Sequence, residues 1–260
     1  MQQRLLIGAW AILLLSLAGC GTTQTARRPV AINGGTMSAM HESHTRERNA
    51  LPLQPAQLQN SPRYAPMQAC TYHSVHAPVM GPAAASRMSV TVRPVRDRYL
   101  ITMINEHGTG TVLLGPGGRL HDFNIFDITT QSRFTSENYR RLAQQQQDKT
   151  ESVSGAPADI INSVSAMFPE YIPAIRTPGS PAAFLPDARG VLWATYFYRG
   201  VTTHKGRAAA VLDLVRDVPG ASGLPGDTVG FSVVELSTMM PLLVVVDAGF
   251  IFRMERVSCP

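Results

Sequence analysis

Leu242-Leu243-Val244-Val245-Val246 places apolar side chains on both faces of any strand it forms. Side chains alternate across a strand, so such a run must be covered on each side. Val191-Leu192-Trp193 has the same character. The fold must therefore bury a sheet from both faces, with these two segments away from its edges. Other segments alternate instead. In the last of them Phe252 and Met254 share one face while Arg253 and Glu255 share the other, as in a half-solvated antiparallel strand.

Period-2 segments bounded by turn residues predict strands over Ser89–Val95, Asp97–Asn105, Thr111–Leu114 and Arg119–Ile128. Pro94 breaks the first pair. Glu106 to Gly110 and Gly115-Pro116-Gly117-Gly118 supply the turns, since Gly allows positive φ and Pro fixes φ near −65°. The last seventy residues predict strands over Val191–Tyr198, Arg207–Val215, Thr228–Leu236, Leu242–Val246 and Phe250–Val257, with 199–206 as a hairpin connection. Two helices fall between these groups. One runs from about Glu137 to Gln147, capped by Thr135 or Ser136. The other starts at Pro157 and carries the stripe Ile160, Ile161, Val164, Met167 and Phe168 up to Pro169. Residues 169–190 hold five prolines and read as an irregular arm or lid. The expected fold class is α+β, mainly an antiparallel curved sheet of about eight strands with two mid-chain helices.

The amino terminus carries an address. Arg4 precedes an apolar run from Leu5 to Leu17. As a helix those residues extend roughly 20 Å, short of a hydrocarbon core of about 30 Å. That is the length of a signal-peptide core, not of a permanent span. The run ends in Leu17-Ala18-Gly19-Cys20, which resembles the lipobox of bacterial lipoproteins. The resemblance covers about twenty residues. It implies cleavage after residue 19 and diacylglycerol on the Cys20 thiol, with acyl chains worth about 0.8 kcal/mol per buried methylene. Residue 21 is Gly and not Asp, which implies the periplasmic face of the outer membrane.

Domain organisation follows: residues 1–19 as leader, 20–68 as a lipidated flexible tether, and 69–260 as a β-rich globular domain. The tether assignment rests on a Thr-, Gln-, Pro- and Arg-rich composition without period. Such a coil would reach about 35–40 Å. The mature chain carries 22 basic residues, all Arg but Lys149 and Lys205, against 18 acidic ones. They are scattered, without aromatic interleaving, so nucleic acid is not an expected partner. Cys70 and Cys259 are the remaining cysteines. In an oxidising envelope an even pair without Cys-x-x-Cys predicts a disulfide joining the start of the domain to its end.

Chemistry is sparse. His73 and His76, near Cys70, Met67 and Met80, with Met40, His41 and His44 upstream, offer soft metal ligands. On a strand, however, His73 and His76 point to opposite faces. No Gly-x-Ser-x-Gly, Ser-x-x-Lys or Cys-His arrangement occurs. Asp122, Asp127, Asp213 and Glu235 fall on expected strands, where charge ordinarily faces solvent. Trp193 packs in the core in this reading, while Tyr196 and Tyr198, on the opposite face, line a cleft for an apolar ligand. No cofactor is implied. The leading expectation is a non-enzymatic envelope lipoprotein that binds a partner protein or contributes to an assembly. The second is a carrier of an apolar or lipid ligand, and the third an exported hydrolase of envelope polymer.

Overall fold

The computed structural model describes residues 34–58, 68–77, 84–106, 108–115, 120–128, 131–138, 177–186, 192–216, 227–247 and 251–259. The leader, Cys20, Met67, Met80 and the helix expected from Pro157 lie outside them. One helix, α1 (Gly34–Ala50), precedes twelve strands: β1 (Gln68–Ala77), β2 (Ala84–Val95), β3 (Arg98–Asn105), β4 (Gly108–Leu114), β5 (Leu120–Asp127), β6 (Ser132–Thr135), β7 (Pro181–Pro186), β8 (Leu192–His204), β9 (Arg207–Arg216), β10 (Thr228–Glu235), β11 (Pro241–Asp247) and β12 (Ile251–Ser258). All twelve join one open antiparallel sheet in the order β6-β5-β4-β3-β2-β1-β12-β11-β10-β9-β8-β7. The expected antiparallel architecture is present, with twelve strands among the described residues in place of about eight.

That order is two six-stranded meanders set side by side. Strands β1 to β6 run outward in one direction and β12 to β7 in the other, so the backbone ladders of the two halves join where β1 pairs with β12. At this seam Tyr72 faces Arg256 and Thr71 faces Ser258. Cys70 and Cys259 are bridged beside it, 189 residues apart in sequence. The first and last strands are thus covalent neighbours in mid-sheet.

Three strands escaped the sequence reading. β1 is rich in Cys, Thr, His and Ser, and shows little apolar alternation. β6 is four residues long. β7 begins and ends with proline and falls within the expected arm, yet it is the outermost strand on its side. Proline is tolerated there because an edge strand needs only half of its backbone donors. The first pair separates next to Pro94 as expected: β2 ends at Val95, which pairs with Arg98 across a turn at Arg96 and Asp97. The connection expected over 199–206 is mostly strand. His204 pairs with Arg207 across Lys205 (φ 49°) and Gly206 (φ 76°), a two-residue turn with both residues left-handed.

Apolar residues divide between the two faces as Leu242 to Val246 requires. Val244 and Val246 join a large cluster that extends from Phe123 and Ile125 on β5 to Leu185 on β7. Leu243 and Val245 join a smaller one with Ala209, Val211, Phe231 and Val233. Fully burying each such side chain contributes about 1.5–3 kcal/mol.

The expected tether needs correction. Residues 34–50 are helical, and residues 51–58 lie along β8, where Gln54 bridges Val201 through both backbone groups at 2.8 and 3.0 Å. Gly200 (φ 149°) makes this approach possible, since a Cβ there would stand 2.7 Å from the Gln54 carbonyl oxygen. Leu51 and Leu53 cover the smaller apolar cluster. Thr135 accepts the Asn138 amide at 3.2 Å and residues 136–138 are helical, so the capped helix begins where expected. Its continuation lies outside the described residues.

Candidate functional site

Helix α1 docks by charge. His41 Nδ1 lies 2.8 Å from Asp247, and the buried His44 presents Nδ1 4.0 Å from the same carboxylate oxygen. Burial pushes the Asp247 carboxyl up, but the imidazoles of His44 and His41 more than offset it, and the carboxyl lies below its usual range. Glu47 accepts two bonds from Arg253, at 2.5 and 3.0 Å. Arg48 forks onto Asp213 through Nε at 2.7 Å and through Nη2, while Arg199 approaches Asp213 at 3.4 Å. Residues 41, 44, 47 and 48 share one helical face. Arg253 and Glu255, read as solvated, instead pair with Glu47 and Lys205.

Asp213 and Glu235 were expected to face solvent. Both are buried, at 8% and 5% exposure. Each is tolerable because it is paired, as a buried carboxylate requires. Glu235 receives Arg207 Nη1 at 2.7 Å, Arg256 Nη1 at 2.7 Å and the Thr238 hydroxyl at 2.8 Å. Burial opposes its ionisation, but these donors prevail and hold the carboxyl at about 2, against an ordinary 4.5. Asp122 accepts bonds from the Ser136 hydroxyl and, at 2.9 Å, from the Phe123 amide.

Tyr196 and Tyr198, read as lining a cleft on the face opposite Trp193, instead lie in the large apolar cluster, and both are 0% exposed. Neither faces an open cleft. The Tyr198 hydroxyl donates to the Ala56 carbonyl at 2.7 Å and so helps to hold the 51–58 segment. Burial pushes the Tyr196 phenol well above its usual range, against a hydrogen bond with Ser232. A third tyrosine, Tyr72, is equally buried and donates to the Pro241 carbonyl at 3.1 Å. The face also carries Met88, Met103, Met239, Met240 and Met254. Thioether chains adapt to irregular apolar shapes.

His73 is exposed on β1, three residues from His76, and no group of three or more His, Cys, Asp or Glu that could hold a metal occurs among the described residues. His41 and His44 share Asp247. The side chains of His76, Asp127 and Trp193 lie outside the described residues. A shallow depression opens between Met88, Met103, Ile104, Gly110, Ile125 and Phe126, with Ile104 50% exposed.

Arg256 was missed, although strand phase marked it. It has the parity of Phe252 and Met254, so period 2 sets a guanidinium on the apolar face. It faces Tyr72 in register, its side chain is 4% exposed, and its Nη2 is buried without a hydrogen-bond partner.

No family model and no curated protein matches this sequence. Among solved structures the chain is similar to a putative outer membrane lipoprotein-sorting protein domain from Vibrio parahaemolyticus, at 9% identity and a TM-score of 0.33, over 84% of this chain and 90% of that one. It is also similar to a LolA superfamily protein from Nitrosomonas europaea, at 10% identity and a TM-score of 0.27, over 75% and 85% of the two chains.

Proposed function

We propose that this chain is a lipid-anchored protein of the bacterial envelope whose larger apolar face holds an apolar or lipid ligand. One observation carries the ligand reading. A single methionine-rich apolar cluster extends from β5 to β7 and includes three fully buried tyrosines. The Leu17-to-Cys20 motif supports the anchor, with Cys20 as the lipidated residue. No described helix is long and apolar enough to cross a membrane.

Both parts are tested with one variant. Cys20→Ser, placed behind a leader whose cleavage needs no cysteine, is expected to leave the membrane fraction and to incorporate no labelled palmitate, whereas the native chain stays with the membrane and takes the label. Sedimentation of the variant with membranes, together with label, defeats the anchor. Native mass spectrometry of the released chain is then expected to show a bound lipid mass that organic extraction removes. A bare chain that also takes up no added fatty acid defeats the ligand reading.

Ile104 and Ile128, exposed at one end of the sheet, favour a second reading in which the chain docks a partner protein. Recovery of the released chain with one stoichiometric envelope protein, in place of a lipid, selects it.

A further inference from the structure

We propose that Arg256 is the head-group site for an amphipathic lipid whose hydrocarbon chain lies along the larger apolar face. This inference rests on the ligand reading above and adds to it a place and a chemical class.

Four observations meet at one end of the β1–β12 seam. Arg256 is the charged side chain that strand phase assigns to the face of Phe252 and Met254. Its side chain is 4% exposed. Its Nη1 is committed to Glu235 at 2.7 Å, while Nη2 is buried with no hydrogen-bond partner among the described residues. Finally, the local charge does not cancel: Glu235 is shared by Arg256 and Arg207, one carboxylate between two guanidiniums.

A charged donor left unsatisfied in a dry interior is costly, commonly more than the 1–3 kcal/mol of a neutral one. An ion pair serving stability alone would gain by satisfying that nitrogen or by leaving it in water. Glu235 fixes the fork of the guanidinium and leaves Nη2 without a partner among the described residues. Tyr72, opposite in register, spends its proton on the Pro241 carbonyl, so its oxygen can accept but not donate to a ligand. The donors therefore select an oxygen bearing negative charge. Beside them lie Met254, Met240 and Met88, which suit a flexible hydrocarbon chain. The class is an anionic oxygen at the end of an acyl chain. A fatty-acid carboxylate and a phospholipid phosphodiester both qualify.

The test compares ligands that differ only at the head. Mature chain with Cys20→Ser, which retains every described element, is titrated calorimetrically with dodecanoate and with 1-dodecanol. Dodecanoate is expected to bind roughly 10- to 100-fold more tightly, the range of a charge-assisted hydrogen bond. Arg256→Met is expected to abolish that preference while leaving dodecanol affinity within about threefold of the unsubstituted chain. Arg256→Lys retains part of the preference, because an ammonium keeps the charge but loses the fork. The unsubstituted chain alone makes the comparison, so the test survives a variant that fails to fold. Short-chain phosphatidylglycerol against the matching diacylglycerol decides between the two sources: the larger head-group preference identifies the natural class. Equal affinity for dodecanoate and dodecanol overturns the head-group site and leaves the apolar face standing. Binding of neither overturns both.

Discussion

Replacing Cys70 and Cys259 together by Ala is expected to remove about 5 kcal/mol of stability and to lower the melting temperature by roughly 10–20 °C. The bridge closes a loop spanning a separation of 189 residues, so in the chain-entropy account it restricts the unfolded chain heavily. Alanine is the appropriate substitute because Cys70 is 2% exposed, and a serine there would add the cost of a buried hydroxyl. Melting followed by circular dichroism with and without reductant checks the expectation. The native chain should shift on reduction and the double variant should not. A shift of less than about 3 °C on reducing the native chain, or between the native chain and the double variant, would show that the sheet holds without the bridge.

Glu235→Gln is the second large effect. Removing one member of a buried pair leaves the other charge uncompensated, which typically costs about 3–5 kcal/mol. Here Arg256, at 4% side-chain exposure, is the charge left behind. The loss depends on pH in a defined direction. The Glu235 carboxyl titrates at about 2 in the fold, against an ordinary 4.5. Its contribution is therefore complete above the ordinary value and is lost as pH falls through the folded one. Denaturant melts at pH 7, 4 and 2 should show the gap between native chain and variant narrowing steadily as acid is added. A gap that is constant with pH, or below about 1 kcal/mol at pH 7, contradicts the assignment.

Most of the sheet was legible because its strands announce themselves by alternation and by turn residues. Leu242 to Val246 fixed the need for two covered faces. The cysteine pair was readable from parity and compartment. What escaped did so for identifiable reasons. Residues 34–50 contain no apolar stripe: the face they present carries His41, His44, Glu47 and Arg48, so a search for apolar periodicity passes over them. The signal that would have found the helix is the match between those charges and Asp247, Arg253 and Asp213, visible only once distant strands are brought together. β1 hid behind its histidines, and β7 behind its prolines. Tyr196 and Tyr198 were read as a cleft lining and are interior, because strand phase alone does not tell a lining from a core. Glu235 and Asp213 illustrate the same limit, because strand propensity is silent on which acids find a guanidinium.

The seam between the two meanders bears on how the chain can be made. Each six-stranded half is built from neighbours in sequence and can form early, whereas β1 must wait for a partner that lies at the far end of the polypeptide. Until β12 emerges, β1 offers a row of free amides and carbonyls to any passing chain. Pairings so distant in sequence are also slow to form. Truncations that end before Ile251 therefore leave a sheet with two halves and no join, and such products should aggregate through that open border.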